Sequence, residues 1–137
     1  MRNLKVSLNV AALSFLVGCA PLPTREDGDA FKAKVRGTVP RADTALFMDC
    51  LIDGFNRTEN AIKHDIKTTQ QRRSSGYRVE RRWNLNQSLL IVSADISDDG
   101  TVELFKNVKL SSIAPFVKTK EEFFAFEVCL NKYKNPK

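Results

Sequence analysis

The stretch SLLIVSADISDDGTVELFKN, residues 88–107, decides the fold class of this chain. Apolar and polar residues alternate on both sides of Asp98-Asp99-Gly100, a pattern typical of two half-buried strands joined by a tight turn. A three-residue loop with Gly100 in the left-handed conformation keeps the apolar residues on one face, whereas a four-residue loop would scramble them. That face would consist of Leu90, Val92, Ala94, Ile96, Val102 and Leu104. The stretch therefore predicts an antiparallel hairpin with one apolar face.

A second hairpin is predicted immediately before the first. Residues 64–72 and 77–83 are rich in strand-forming residues and are separated by the turn Ser74-Ser75-Gly76. Pairing Arg72 with Tyr77 places the apolar residues on one face and the basic residues on the other. The apolar set is Ile66, Val79 and Trp83, and the basic set is Lys67, Arg78 and Arg82. The two hairpins together predict a four-stranded antiparallel meander.

Amphipathic helices are predicted on both sides of the meander. Apolar residues recur at helical spacing from Phe47 to Phe55 and again from Phe123 to Tyr133. Asp43 or Thr44 can cap the first helix, and Thr119-Lys-Glu-Glu122 has the form of a capping box for the second. We therefore predict an α+β domain over residues 41–137, ordered helix, four strands, helix, with both helices on one sheet face.

The segment before residue 41 is expected to be a tether. Residues 20–41 contain three of the five prolines and many charges, with no sustained period, although Val35 to Val39 could add a short edge strand. We assign residues 19–40 to this tether, which would hold the domain a few nanometres from a bilayer.

Length and composition fit a single hydrophobic core and limit the kinds of metal or catalytic site that the chain can form. The chain has 137 residues, a formal charge of +6, three cysteines and one histidine. This charge favours anionic surfaces but does not by itself indicate nucleic-acid binding, and we predict no nucleic-acid partner. A metal cluster or a histidine-based catalytic centre has few residues to draw on, so we predict no metal and no cofactor.

The N-terminus has the organisation of an export signal. Arg2 and Lys5 precede an uncharged, mostly apolar stretch, residues 6–17, and the small residue Gly18 follows. A helix needs about 20 apolar residues to cross the hydrocarbon core, so this stretch is too short for a permanent transmembrane helix.

Leu16-Val17-Gly18-Cys19 resembles the lipobox of the bacterial lipoprotein signal. The resemblance implies that residues 1–18 are a cleaved signal peptide and that Cys19 is acylated, which would anchor the protein stably in a membrane. Ala20 after the cysteine implies a periplasm-facing lipoprotein of the outer membrane, with the inner membrane as the alternative. The resemblance ends at Cys19 and implies no activity.

Cys50 and Cys129 fall on the apolar stripes of the two predicted helices. In an exported chain two cysteines within reach of each other normally pair, so we predict a structural disulfide between them. The rival interpretation, a redox-active or nucleophilic thiol, lacks a CxxC motif or an adjacent basic residue.

Other chemical groups give weaker signals. His64 has no partnered serine or second ligand at helical spacing, so we predict an exposed or capping role. Asp95, Asp98 and Asp99 lack the ligand spacing of an EF-hand, and the Asp-Gly pair is what a hairpin turn requires. We predict no catalytic residue.

The basic residues of the second hairpin provide the candidate binding surface. Residues 63–82 carry seven Lys and Arg against Asp65 and Glu80. They are either a solvated, aggregation-resistant strand face or a surface for an anionic or acidic envelope partner contacting Lys67, Arg78 and Arg82. The leading hypothesis is a non-enzymatic interaction module on a membrane anchor. The alternatives are an inhibitor or immunity protein for a secreted toxin, and a small envelope enzyme.

Overall fold

A five-stranded antiparallel sheet is the centre of the fold in the computed structural model, which describes residues 22–58, 65–84 and 87–134. Its strands are β1 (Phe31–Thr38), β2 (Ile66–Arg73), β3 (Gly76–Asn84), β4 (Ser88–Ser97) and β5 (Thr101–Asn107). They lie in the order β1-β5-β4-β3-β2, so β1 and β2 form the two edges. The α+β class is confirmed, but the prediction of four strands is wrong because β1 adds a fifth.

Strand β1 comes from the segment that the sequence assigned to the tether of residues 19–40. It pairs antiparallel with β5 from Phe31↔Asn107 to Thr38↔Thr101. Its sequence FKAKVRGT alternates apolar or small residues with basic ones, which is a strand pattern that the high charge obscured. Charged side chains are common on edge strands, where they discourage pairing with other chains. The folded domain therefore begins before residue 41.

Both predicted hairpin registers are confirmed. Arg72 pairs with Tyr77 in the β2–β3 hairpin, and Ile96 pairs with Val102 in the β4–β5 hairpin. Gly100 has φ +96°, and a Cβ atom there would lie 2.1 Å from the carbonyl oxygen of Val39. Both the left-handed backbone and this close approach require glycine at the turn.

A bulge in the β3–β4 ladder changes one predicted apolar position. The register shifts between Arg81, which pairs with Val92, and Arg82, which pairs with Leu90. Leu90 is thereby turned away from the helices and packs in a small cluster with Ala30, Phe31 and Phe105. The remaining five predicted residues lie in the main core.

Among the described residues, three α-helices accompany the sheet, namely α1 (Thr44–Asn56), the short α2 (Leu110–Ile113) and α3 (Lys120–Tyr133), and a 3-10 helix (Arg41–Asp43) precedes α1. The buried side of α1 carries Phe47 and Leu51, which share the main core with the apolar face of the strands. Phe126 of α3 packs edge-on against Phe47, with ring centroids 5.4 Å apart. The two long helices therefore cover the sheet together.

The start of α3 differs from the predicted capping box. Thr119 is the N-cap residue but makes no side-chain capping hydrogen bond. Glu122 points into the interior and is 1% exposed, because it lies one and two turns before the buried residues Phe126 and Cys129 on the same helix face. The predicted cap at α1 is also absent, since Asp43 makes no such bond.

Candidate functional site

A groove of about 910 Å³ lies between α1 and α3. The two helices approach closely here: a Cβ atom added to Gly54 of α1 would lie 2.9 Å from the Cβ of Ala125 on α3. The floor of the groove includes the core residues Ala125 and Cys129, and exposed residues of both helices complete its lining.

Three large apolar side chains in this groove are exposed to solvent. The exposed fraction is 67% for Phe124, 51% for Leu46 and 47% for Val128. Phe124 and Val128 are four residues apart and therefore neighbours on one face of α3. A single exposed apolar residue is ordinary, but three that line one concavity are typical of a binding surface.

The charges in the groove lining are mixed, with a small acidic excess. The lining includes Asp49, Asp53 and Glu121 together with Arg57 and Lys132. Arg57 donates to the carboxylate of Asp53 one turn before it, over 2.6 Å. The α1 side therefore carries negative charge on a chain that is basic overall.

The predicted disulfide between Cys50 and Cys129 is confirmed and lies in the lining of this groove. Their Cα atoms are 5.9 Å apart, within the ordinary range for a bridge. A bridged cysteine has no thiolate to act as a nucleophile, so the structural interpretation holds for this pair. The bond fixes the separation of the two helices that form the groove.

The opposite face of the sheet carries the basic residues of the predicted binding surface, but the chain itself covers part of it. Arg78 is 12% exposed and contacts Asp95 over 2.8 Å and Glu26 over 3.2 Å. Burial acts against its charged form, but the hydrogen bond and charge of Asp95 outweigh burial and raise the pKa of Arg78. The expectation that Arg78 stands exposed without cover is therefore corrected.

The covering element is the N-terminal segment, residues 22–30. Arg25 of this segment places its guanidinium 3.3 Å from the ring centroid of Phe105 and donates to Asp95 over 2.9 Å. Burial lowers the pKa of Arg25, although Asp95 acts in the opposite direction. The other two predicted contact residues differ, since Arg82 pairs with Glu80 at 2.9 Å and Lys67 is exposed. Two of the three basic side chains of the predicted surface therefore have counter-charges within the chain.

An ion pair lies inside the core between Arg81 and Glu122. Arg81 is 3% exposed and donates to the hydroxyls of Thr58 and Thr68, both over 2.9 Å. Its Nε lies 3.8 Å from the Glu122 carboxylate, and neither of these two facing atoms has a hydrogen-bond partner. Burial raises the pKa of Glu122, against its own backbone hydrogen bond and the charge of Arg81.

A second concavity, of about 490 Å³, is lined by lysines where β1, β5 and the start of α3 meet. Four of its six lining residues are lysines, and the other two are Thr119 and Phe123. The lysines are Lys34, Lys106, Lys118 and Lys120. They are spread over the sequence, so no local motif could have predicted this cluster.

The remaining candidate residues either have roles in a turn or lie outside the described residues. The carboxylate of Asp98 accepts two hydrogen bonds from Arg72, and Asp99 accepts one from the backbone N–H of Thr101, as turn residues do. Cys19 and His64 lie outside the described residues. Within the described ranges, no group of three or more His, Cys, Asp or Glu could hold a metal ion.

The groove residues could have been suspected from the sequence. Phe124 and Val128 are apolar residues that stand off the main stripe of α3 at helical spacing, which marks a second, unpartnered face. Leu46 gives no such signal, because its neighbourhood depends on how α1 packs against α3.

Comparison with protein-family models gave no matching family, and neither the curated proteins nor the solved structures gave a match. None of the described helices is long and apolar enough to cross a membrane.

Proposed function

We propose that this chain is a bacterial lipoprotein, anchored in the outer membrane through acylated Cys19, whose periplasm-facing domain is a non-enzymatic interaction module. The lipobox-like residues Leu16 to Cys19 and the preceding cationic and apolar segments support the anchor. The groove between α1 and α3 supports the interaction role. We assign this groove as the place where a partner protein docks.

The packing of residues 22–30 on the sheet would hold the domain close to a membrane anchor at Cys19. Only Ala20 and Pro21 separate Cys19 from Leu22, where the described chain begins. Three extended residues reach at most about 11 Å. Because residues 22–30 are held on the sheet by Arg25 and Glu26, an anchor at Cys19 would keep the domain against the bilayer, not a few nanometres away.

The single observation that carries the interaction role is the exposure of Leu46, Phe124 and Val128 in one groove. Leaving large apolar side chains in water forgoes about 25 cal/mol for each Å² that a partner could cover. The disulfide holds the two groove walls at a fixed separation, which reduces the ordering cost of binding.

The occupant that fits best is an amphipathic helix of a partner protein. The groove runs between two helices of 13 and 14 residues, each about 20 Å long, which is the geometry of helix-in-groove recognition. Asp49 and Asp53 line the α1 side, so basic residues beside the apolar face of the partner helix would be favoured there.

Site-specific photocrosslinking in the native cell tests this proposal. A photoreactive phenylalanine analogue at position 124 of the full chain should give one adduct with a defined envelope protein. Val128→Glu should abolish that adduct, because it places a charge in the apolar groove. The matched control is Ile113→Glu, since Ile113 is also exposed (41%) but lies on α2, outside the groove lining.

Loss of the adduct with Val128→Glu and its retention with Ile113→Glu would support the groove as the docking site. An adduct that survives Val128→Glu would contradict it. An adduct of twice the chain mass would show a second copy in the groove and overturn the assignment to a different protein. If the crosslinked protein is a secreted toxin, the result would favour an inhibitor or immunity protein over a module for an envelope partner.

A further inference from the structure

The lysine-lined concavity at the start of α3 has no acidic residue in its lining. Most arginines of the described residues, in contrast, are compensated within the fold. Seven arginines each contact a carboxylate within 4 Å, namely Arg25, Arg36, Arg57, Arg72, Arg78, Arg81 and Arg82. The lysine pocket therefore concentrates positive charge without an acidic residue in its own lining.

The ammonium groups of the pocket come from separate elements and are mostly without partners. Among the ion pairs and hydrogen bonds of the described residues, none involves Lys34, Lys106 or Lys120. Lys118 donates to the backbone oxygen of Pro115 over 2.9 Å. Lys106 also faces Lys32 across the β1–β5 ladder, where like charges are destabilising.

The helix adds to this positive field. α3 has 14 residues and begins at Lys120, so the partial positive charge of its N-terminus lies beside the four lysines. Thr119, the N-cap residue, also lines the pocket and makes no side-chain capping bond. An adjoining cavity of about 240 Å³ shares Lys34, Lys106, Lys118 and Thr119, so the charged walls extend beyond one pocket.

From this arrangement we infer that the pocket binds a phosphate-bearing ligand. Four lysines around one concavity suit an anionic phosphate group, because lysines bind phosphate oxygens as point charges without demanding one orientation. Phe123 forms the apolar part of the lining and would contact the portion of the ligand next to the phosphate. A soluble phosphorylated compound and a phospholipid headgroup present the same chemistry to these residues.

Titration calorimetry on the purified full chain in a neutral detergent tests the inference. Sodium pyrophosphate is the probe for a soluble ligand, and chloride at matched ionic strength is the blank. We expect saturable binding that Lys34→Gln with Lys106→Gln weakens at least tenfold. The matched control is Lys67→Gln with Lys134→Gln, which removes two exposed lysines outside both the pocket and the groove lining and should leave binding unchanged.

A second arm distinguishes the sources of phosphate. Micelles containing short-chain phosphatidylglycerol are compared with micelles containing phosphatidylcholine, whose headgroup has no net charge. Binding of phosphatidylglycerol but not of pyrophosphate, lost in the pocket variant alone, would assign the site to a lipid headgroup. Absence of saturable binding in both arms, or an equal loss in the control variant, would overturn the inference. Neither result depends on the groove, so the proposed function is tested separately.

Discussion

Arg78 of β3 donates from its Nε to Oδ1 of Asp95 on β4 over 2.8 Å, and these two residues are direct cross-strand partners. The second oxygen of the same carboxylate accepts from Arg25 over 2.9 Å. One carboxylate therefore joins two strands of the sheet to the segment that precedes the first strand. The sheet face that carries Arg78 was expected to be open to solvent or to a partner, but the chain itself covers part of it.

Asp95→Asn should destabilise the domain and release the N-terminal segment. Arg25 and Arg78, both mostly buried, would lose their shared counter-charge, for which we expect about 1–3 kcal/mol in the free energy of urea unfolding. Trypsin should also cleave after Arg25 faster than in the wild type. The control is Glu103→Gln, whose partner Arg36 is 70% exposed, and it should cost less than about 1 kcal/mol. Equal effects of the two substitutions would refute the special role of Asp95.

The pair reversal Arg78→Glu with Arg82→Glu should impair folding. The new carboxylate at position 78 would stand beside Asp95 and Glu26, which now pair with Arg78. Circular dichroism and the urea midpoint measure the loss. A variant that folds with an unchanged midpoint would show that these contacts contribute little.

Removal of the disulfide should lower stability without changing the fold. Cys50→Ala with Cys129→Ala frees a loop of 79 positions, and loss of a native bridge typically costs about 2–5 kcal/mol. Unfolding of the wild type under reducing conditions should give the same midpoint as the variant. Peptide mapping without reductant should recover one linked pair of peptides. Free thiols at both positions in the exported protein would disprove the disulfide.

Glu122 should make the stability of the protein fall as pH rises. Burial raises the pKa of its carboxyl above the ordinary value of 4.5, so the folded state binds more protons than the unfolded state between these two values. This contribution of Glu122 to the free energy of unfolding is full below pH 4.5 and is lost as pH rises through the raised pKa of the folded state. The wild type should therefore lose stability relative to Glu122→Gln across this window. Glu127→Gln, which removes an exposed carboxyl from the same helix, is the matched control variant. The opposite slope would mean that attraction to Arg81 outweighs burial.

Acylation of Cys19 is tested by intact mass. The mature protein should begin at Cys19 and carry acyl groups, and Cys19→Ser should remain unprocessed or unanchored. An unmodified chain that begins at Met1 would contradict the anchor, although it would leave the groove and the lysine pocket to be tested on their own.

Local chemistry determined much of this protein. The two hairpin registers follow from the alternation of residues and from Gly76 and Gly100 at the turns, because strand pairs joined by tight turns involve only neighbouring residues. The helices are equally local, since the apolar period decides their extent. The pairing of Cys50 with Cys129 could be predicted because both lie on apolar stripes of an expected exported chain.

Only the tertiary structure decided the rest, because the contacts join residues far apart in sequence. Arg25 meets Asp95 across 70 positions, and β1 finds its partner in β5 after the chain has crossed the whole sheet. Whether Arg81 and Glu122 are buried depends on a strand and a helix closing over them, which composition does not reveal. The groove and the lysine pocket arise in the same way, since each gathers side chains that no single element presents.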